Sequence, residues 1–261
     1  MGPISIDEAV TASENTLWTC GGFPESLLAS TDTHRLDWRI YFIRSYLERD
    51  VPMFAPRMPA ETIKRLWTMF AHQQGSILDQ ARLAASLGIS APTVIRYIDL
   101  LVDLQLVRRL QPWSGNLGKR LVKSPKVYIR DSGIVHALLG LRQWDDVLGH
   151  RVAGLSYEGF VIENLLQAVA QNTQVPRLST YYRTQDGAEI DLVFERAGQR
   201  EIAIEIKRSS APRVERGFHI ACEDLGVKQR YVVYPGTETF PLRVGVQAIG
   251  LKDLVVILGV S

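Results

Sequence analysis

Two runs of strict alternation constrain this chain more than any other feature in it. Over 189–195, Ile190, Leu192 and Phe194 fall on one face and Glu189, Asp191 and Val193 on the other. Over 201–207, Ile202, Ile204 and Ile206 oppose Ala203, Glu205 and Lys207. A period of two is the signature of a strand. The short turn around Ala197–Gln199 makes these strands antiparallel neighbours. With their apolar faces aligned, Asp191, Glu205 and Lys207 share one side of the sheet. Residues 155–171 read as a helix and 178–183 as a further strand. A helix near 213–225 and strands near 230–234 and 244–249 complete an α/β module, whose boundary with the preceding chain falls near residue 150.

The preceding chain reads as helical. Leu36, Ile40, Ile43 and Leu47 recur at helical spacing over 33–50, and Pro52, Pro56 and Pro59 break that helix. A second helix over 60–74 puts Ile63, Leu66, Trp67 and Phe70 on one face. Residues 76–107 read as a helix-turn-helix. Ala81, Leu83, Ala84 and Leu87 form the first stripe, Gly88 ends it, and Ser90 with Pro92 starts a helix buried through Val94, Ile98, Leu101 and Val102. Strands over 105–111 and near 126–130 flank a Gly-containing loop, and together these elements describe a winged helix. The expected domains are 33–150, helical and winged-helix, and 151–261, α/β; residues 1–32 are left without a domain.

The net charge of +2 hides an uneven distribution. Between Leu104 and Arg130 stand seven basic residues and no acid, so the rest of the chain sums to −5. A basic hairpin beside a helix-turn-helix fits phosphate contact through Arg108, Arg109, Lys119, Arg120 and Lys123, with Thr93, Arg96 and Tyr97 of the second helix facing a groove. Against this, Asp99 and Asp103 would repel phosphates from the same helix. The alternative is a solvated hairpin whose charges pair with acids elsewhere, since winged helices also serve as packing and protein-contact modules.

The acids of the α/β module suit a different chemistry. Asp191 and Glu205 could hold Mg²⁺ or Mn²⁺ through hard oxygen ligands. Such an ion stabilises charge on a phosphate and activates water, while Lys207 orients that water or neutralises the transition state. In the preceding helix, Glu158 shares its face with Val161, Ile162, Leu165 and Val169, where a carboxylate is costly without a partner. Glu163 has Gln167 one turn away. The alternative is a solvated strand face carrying Glu and Lys.

Asp191 followed by Glu205-Ile206-Lys207, preceded by the helical Glu158, resembles the PD-(D/E)XK nuclease superfamily. Tyr182-Arg183-Thr184 through Asp186-Gly187-Ala188-Glu189-Ile190-Asp191, with Ile204-Glu205-Ile206-Lys207, is similar to the DUF4143 domain, the C-terminal region of the AAA_14 group of ATPases. Gly21-Gly22-Phe23-Pro24-Glu25, Lys123-Ser124-Pro125-Lys126-Val127-Tyr128 and Tyr157-Glu158 match the same group. The resemblance implies a mixed sheet flanked by helices, Asp191 and Glu205 as metal ligands, Lys207 as catalytic lysine and Glu158 as the helix acid. Ile190 stands where the superfamily's usual proline precedes the aspartate. The DUF4143 group itself implies no established reaction.

The same resemblance would include an ATPase, but Gly115-Asn116-Leu117-Gly118-Lys119-Arg120 has neither the spacing nor the Ser/Thr of a phosphate-binding loop. No nucleotide cofactor is expected, and the chain reads as a fragment or as one that has lost its motor. Five scattered histidines and two cysteines give no metal or nucleophile pattern. No apolar run approaches the roughly 20 residues of a membrane helix, and no secretory signal opens the chain. The expectation is a cytoplasmic, DNA-associated protein with a metal-dependent nuclease-like domain and no membrane partner. The alternative is a non-catalytic DNA- or protein-binding module that regulates an ATPase domain or another chain.

Overall fold

The computed structural model describes residues 3–9, 12–55, 58–171, 177–196, 198–243 and 245–260. The chain divides into two compact units, Met1–Arg109 with Val127–Phe160, and Leu110–Lys126 with Val161–Ser261. The segment read as a wing thus counts with the second unit. Ala197, Pro56 and Val244, which figured in the expected turn, helix break and last strand, lie outside the described residues.

The first unit begins with α1 (Glu14–Cys20), α2 (Pro24–Leu27) and α3 (Asp32–Ser45). A wide π-helical turn, Tyr46–Asp50, leads into α4 (Val51–Phe54), and α5 (Ala60–His72) follows. Pro52 therefore does not end the helical path as expected. It sits in the first turn of α4, where the missing N–H is one that a helix leaves unpaired. Leu36, Ile43 and Leu47 are buried, but Ile40 is 46% exposed, so the expected stripe is narrower. Next come β1 (Ser76–Ile77), α6 (Gln80–Leu87), α7 (Ala91–Asp103), β2 (Val107–Leu110) and β3 (Lys126–Ile129), with the three strands ordered β1-β3-β2. Gly88 caps α6 at φ 69°, and the Ser90 hydroxyl accepts the Thr93 N–H at the start of α7. Ala81 is exposed, whereas Tyr97, expected to face a groove, is buried on the same side as Val94, Ile98 and Leu101. The chain continues through α8 (Ser132–Leu138) and α9 (Trp144–Gly149) into α10 (Ala153–Gln171).

Residues 14–27, left without a domain by the sequence, are helical and wrap a buried polar network. The Trp18 indole N–H donates to the Ser156 hydroxyl at 3.1 Å, and Ser156 meets His136 Nε2 at 2.7 Å. His136 Nδ1 donates to the Thr19 carbonyl at 2.9 Å, which fixes the neutral tautomer that can accept from Ser156. Arg39 is fully buried yet reaches the carbonyls of Thr19, Gly133 and Arg35. Asp131 caps α8 by accepting from Ile134 and also takes the Gly22 N–H, both at 2.8 Å. The Gly-Gly pair is required there: Gly21 has φ 79°, and a Cβ on it would stand 2.2 Å from the Asp131 carboxylate.

The second unit is built on β4 (Arg177–Arg183), β5 (Glu189–Arg196), β6 (Gln199–Ile206), α11 (Arg216–Leu225), β7 (Gln229–Tyr234), β8 (Phe240–Arg243), β9 (Val246–Gly250) and α12 (Leu251–Val260). Its sheet runs β4-β5-β6-β7-β9-β8. The β6–β7 and β7–β9 pairs are parallel and the others antiparallel, so the sheet is mixed, as expected. β8 and α12 were not read as elements in the sequence. Residues 111–122 cover the edge of β4, with backbone hydrogen bonds between Trp113 and Tyr181 and between Val122 and Arg183. Both faces of the central strands are buried: Val193 and Ala203 cluster with Phe218, Ala221, Cys222 and Leu225 of α11, while Leu192, Phe194, Ile202 and Ile204 are also covered. Asp191 and Glu205 are buried as well, which replaces the solvated-face alternative at these two positions.

Candidate functional site

The antiparallel register sets Leu192 opposite Ile204, so Asp191 and Glu205 stand together just past that rung. Asp191 Oδ2 accepts the Ile206 N–H at 2.8 Å. Its other oxygen lies 3.6 Å from Lys126 Nζ, which also pairs with Glu189 at 2.8 Å. The Lys126 side chain is only 4% exposed, lies over the Tyr181 ring, and so is a buried ammonium between two carboxylates. Arg183 pairs with the far oxygen of Glu189 at 3.3 Å. Lys207 lies between Glu205, at 2.8 Å, and Glu215, at 2.9 Å. The result is two runs of alternating charge, Arg183–Glu189–Lys126–Asp191 and Glu205–Lys207–Glu215, that meet at the adjacent carboxylates Asp191 and Glu205.

Burial raises Glu205 above the ordinary carboxylate range, against the lowering effect of Lys207. Burial works to lower the Lys207 ammonium, but its bonds to Glu205 and Glu215 outweigh that and hold it above the usual lysine value. Glu215 is lowered by its hydrogen bond to Lys207. Burial pushes the neighbouring Cys222 thiol up to about 12, so it has no thiolate character near neutral pH.

Asp191 and Glu205 offer the oxygens that Mg²⁺ or Mn²⁺ prefer, but their arrangement does not fit such an ion. One Asp191 oxygen is held by a main-chain N–H, the other faces an ammonium, and Glu205 is held by Lys207. Among the described residues, no three His, Cys, Asp or Glu side chains are grouped to hold a metal.

The second unit brings together Asp191, Glu205 and Lys207 of the expected site. Glu158 belongs to the first unit, where it is half-buried and accepts the Tyr128 hydroxyl at 2.7 Å. Lys126, Glu189 and Glu215 were not among the residues expected at the site. Lys126 left a signal: it opens Val127-Tyr128-Ile129, a strand in which every residue is buried.

The residues expected to touch nucleic acid are divided between the two units, Thr93, Arg96, Arg108 and Arg109 in the first and Lys119, Arg120 and Lys123 in the second. Thr93 has its hydroxyl against Ser90 at 2.8 Å, while Arg96 is exposed on α7. Arg109 pairs with Asp99 at 2.8 Å, and Arg108 is half-buried. Lys119 pairs with Asp224, which also accepts the Tyr182 hydroxyl. Arg120 and Lys123 are exposed.

A mixed six-stranded sheet flanked by helices, with charged side chains buried beside its second and third strands, defines an α/β unit; a mainly helical unit accompanies it. Residues 12–145, half of the chain, match the family described as Domain of unknown function (DUF8612), and the chain belongs to that family. Residues 153–254 match Domain of unknown function (DUF4143). Two relatives, Uncharacterized protein Mb2031c of Mycobacterium bovis and Uncharacterized protein Rv2008c of Mycobacterium tuberculosis, are each 40% identical over 249 residues. These matches cover 94% of this chain and 54% of each relative, so the chain spans about half the length of the curated relatives it matches. No solved structure matches. Among the described residues, no single helix is long and apolar enough to cross a membrane.

Proposed function

We propose that this chain is a DNA-associated regulatory module of a longer, ATPase-bearing polypeptide, carrying a nuclease-like domain whose acidic site is closed by Lys126. The closing ammonium carries this reading. It neutralises Glu189 and Asp191 from within, where an active site would leave the carboxylates for a metal and a phosphate. The succession β1-α6-α7-β2-β3 and the sheet order β1-β3-β2 support a winged helix in the first unit. The paired acids of β5 and β6, followed by Lys207, support the PD-(D/E)XK likeness of the second. The length of the relatives supports membership in a longer chain.

A second reading, a Mg²⁺- or Mn²⁺-dependent phosphodiesterase, is favoured by the burial of Asp191 and Glu205 side by side with Lys207 adjacent. It assigns the catalytic roles within the second unit to Asp191, Glu205 and Lys207. The two readings part in one experiment. Supercoiled plasmid and single-stranded DNA are incubated with the chain and either ion, beside Asp191→Ala and Lys207→Ala. Wild type should leave both substrates intact, like the variants. Nicking by wild type that either substitution abolishes would overturn the closed-site reading in favour of the enzyme.

A further inference from the structure

We propose that a basic concavity at the start of β7 and β9 binds phosphate groups, and that its ligand is a polynucleotide backbone. The proposal rests on the DNA-associated reading above and gives it a location. Lys228, Arg230 and Arg243, with Gln229, Tyr231 and Gln247, line a hollow of about 330 Å³ in the second unit. Among the described residues, none that lines it is acidic. Lys228 and Arg243 are exposed, and among the described residues none of the three cations has an ion-pair partner. Lys119, Lys126, Arg177 and Lys207 of the same unit, by contrast, each have one.

The hollow is built on the sheet. Tyr231 of β7 pairs with Gln247 of β9, and Gln247 pairs in turn with Pro241 of β8, so three neighbouring strands fix its floor. Arg230 Nε donates to the Val227 carbonyl at 2.9 Å. That bond pins the guanidinium plane and leaves its two terminal nitrogens for a ligand. Three like charges around one hollow repel one another, and an anion relieves that repulsion. The neutral amides of Gln229 and Gln247 and the Tyr231 hydroxyl add hydrogen-bond donors without adding negative charge. Because β6 and β7 are parallel, the hollow lies at the end of the sheet opposite Glu205 and Lys207. It is a separate site from the acidic row.

A free phosphate compound and a polynucleotide would present the same group, so both are tested. The whole chain is titrated with inorganic pyrophosphate by calorimetry. Fluorescently labelled double- and single-stranded DNA is titrated by anisotropy over a range of salt. Two variants are compared with wild type: Lys228→Gln/Arg243→Gln, in which both residues are exposed, and the triple variant that adds Arg230→Gln. DNA binding should weaken roughly tenfold or more in the triple variant. The slope of log affinity against log salt should fall by about 2 in the double variant and about 3 in the triple. Circular dichroism checks the fold, and the exposed double variant decides if the triple does not fold. DNA binding unchanged in the double variant, but lost when Lys119, Arg120 and Lys123 are replaced, would overturn the hollow while keeping DNA association. Pyrophosphate binding lost in the double variant, with no DNA binding by wild type, would keep the phosphate site and overturn the polynucleotide assignment and DNA association together. No saturable binding of either probe would overturn the site itself.

Discussion

Each unit buries polar side chains, but they are satisfied in opposite ways. In the first, Trp18, Ser156, His136 and Thr19 form a chain of neutral hydrogen bonds, and Arg39 spends its donors on main-chain carbonyls. Every proton in that chain has a place, so the network has no spare valence for a ligand and serves the fold. In the second, the partners are charged side chains: Lys126 between Glu189 and Asp191, Lys207 between Glu205 and Glu215. Charges held by other charges depend on one another, so removing one leaves its partners buried without compensation. The neutral network of the first unit is closed largely by main-chain carbonyls, and the acidic row of the second by the Lys126 and Lys207 ammoniums.

The sharpest way to break this comparison is to remove the ammonium. Lys126→Met keeps much of the apolar stem but leaves Asp191 and Glu189 with less compensation. A broken buried pair of this kind costs about 3–5 kcal/mol. Adding Glu189→Gln and Asp191→Asn should recover much of the loss, because the carboxylate charges go with the ammonium. Urea unfolding of the three proteins measures this. A Lys126→Met chain as stable as wild type would mean that the ammonium does not hold the acidic row together.

The first unit predicts a pH dependence instead. Burial, with Arg39 and His150 adding to it and the Thr19 carbonyl opposing, pushes the His136 imidazole from its ordinary 6.5 down to about 3. The folded imidazole stays neutral where the unfolded one takes a proton. Its contribution is therefore complete above pH 6.5 and is lost as pH falls from there towards 3. The slope within that window is at most about 1.4 kcal/mol per pH unit from this residue. Unfolding free energies measured between neutral and mildly acid pH should fall less steeply in His136→Gln than in wild type. Parallel curves would mean that His136 takes up a proton in the folded chain.

How far these regions were legible in the sequence follows from the range of the forces that make them. Alternation in β5 and β6, the Gly88 and Ser90 caps and the buried face of α5 are local, and they stand where the residues put them. The side-by-side placement of Asp191 and Glu205 needed only the strand pairing. Lys126 was beyond reach because it is 65 residues from Asp191 in sequence, and nothing local tells a lysine which acid it will meet. The buried Arg39 was hidden for the same reason: its partners are carbonyls on α1 and α8. Pro52 misled because the rule that proline breaks a helix does not hold in a first turn. Tyr97 misled because a polar hydroxyl on a large apolar ring says little about which way the ring faces.

The smallest expected effect comes from a second lysine of the segment that supplies Lys126. Lys119 pairs with Asp224, but its side chain is substantially exposed, and Asp224 keeps the Tyr182 hydroxyl as a partner when the lysine is gone. Water and salt screen such a pair, and holding a long side chain in place costs entropy. Lys119→Ala should therefore lower stability by no more than about 1 kcal/mol, with the difference shrinking at high salt. Urea unfolding at low and high salt reads both quantities. The two lysines lie seven residues apart and carry the same charge. If Lys119→Ala proved as costly as Lys126→Met, and equally insensitive to salt, burial would not be what separates them, and the special standing of the Lys126 ammonium would fall.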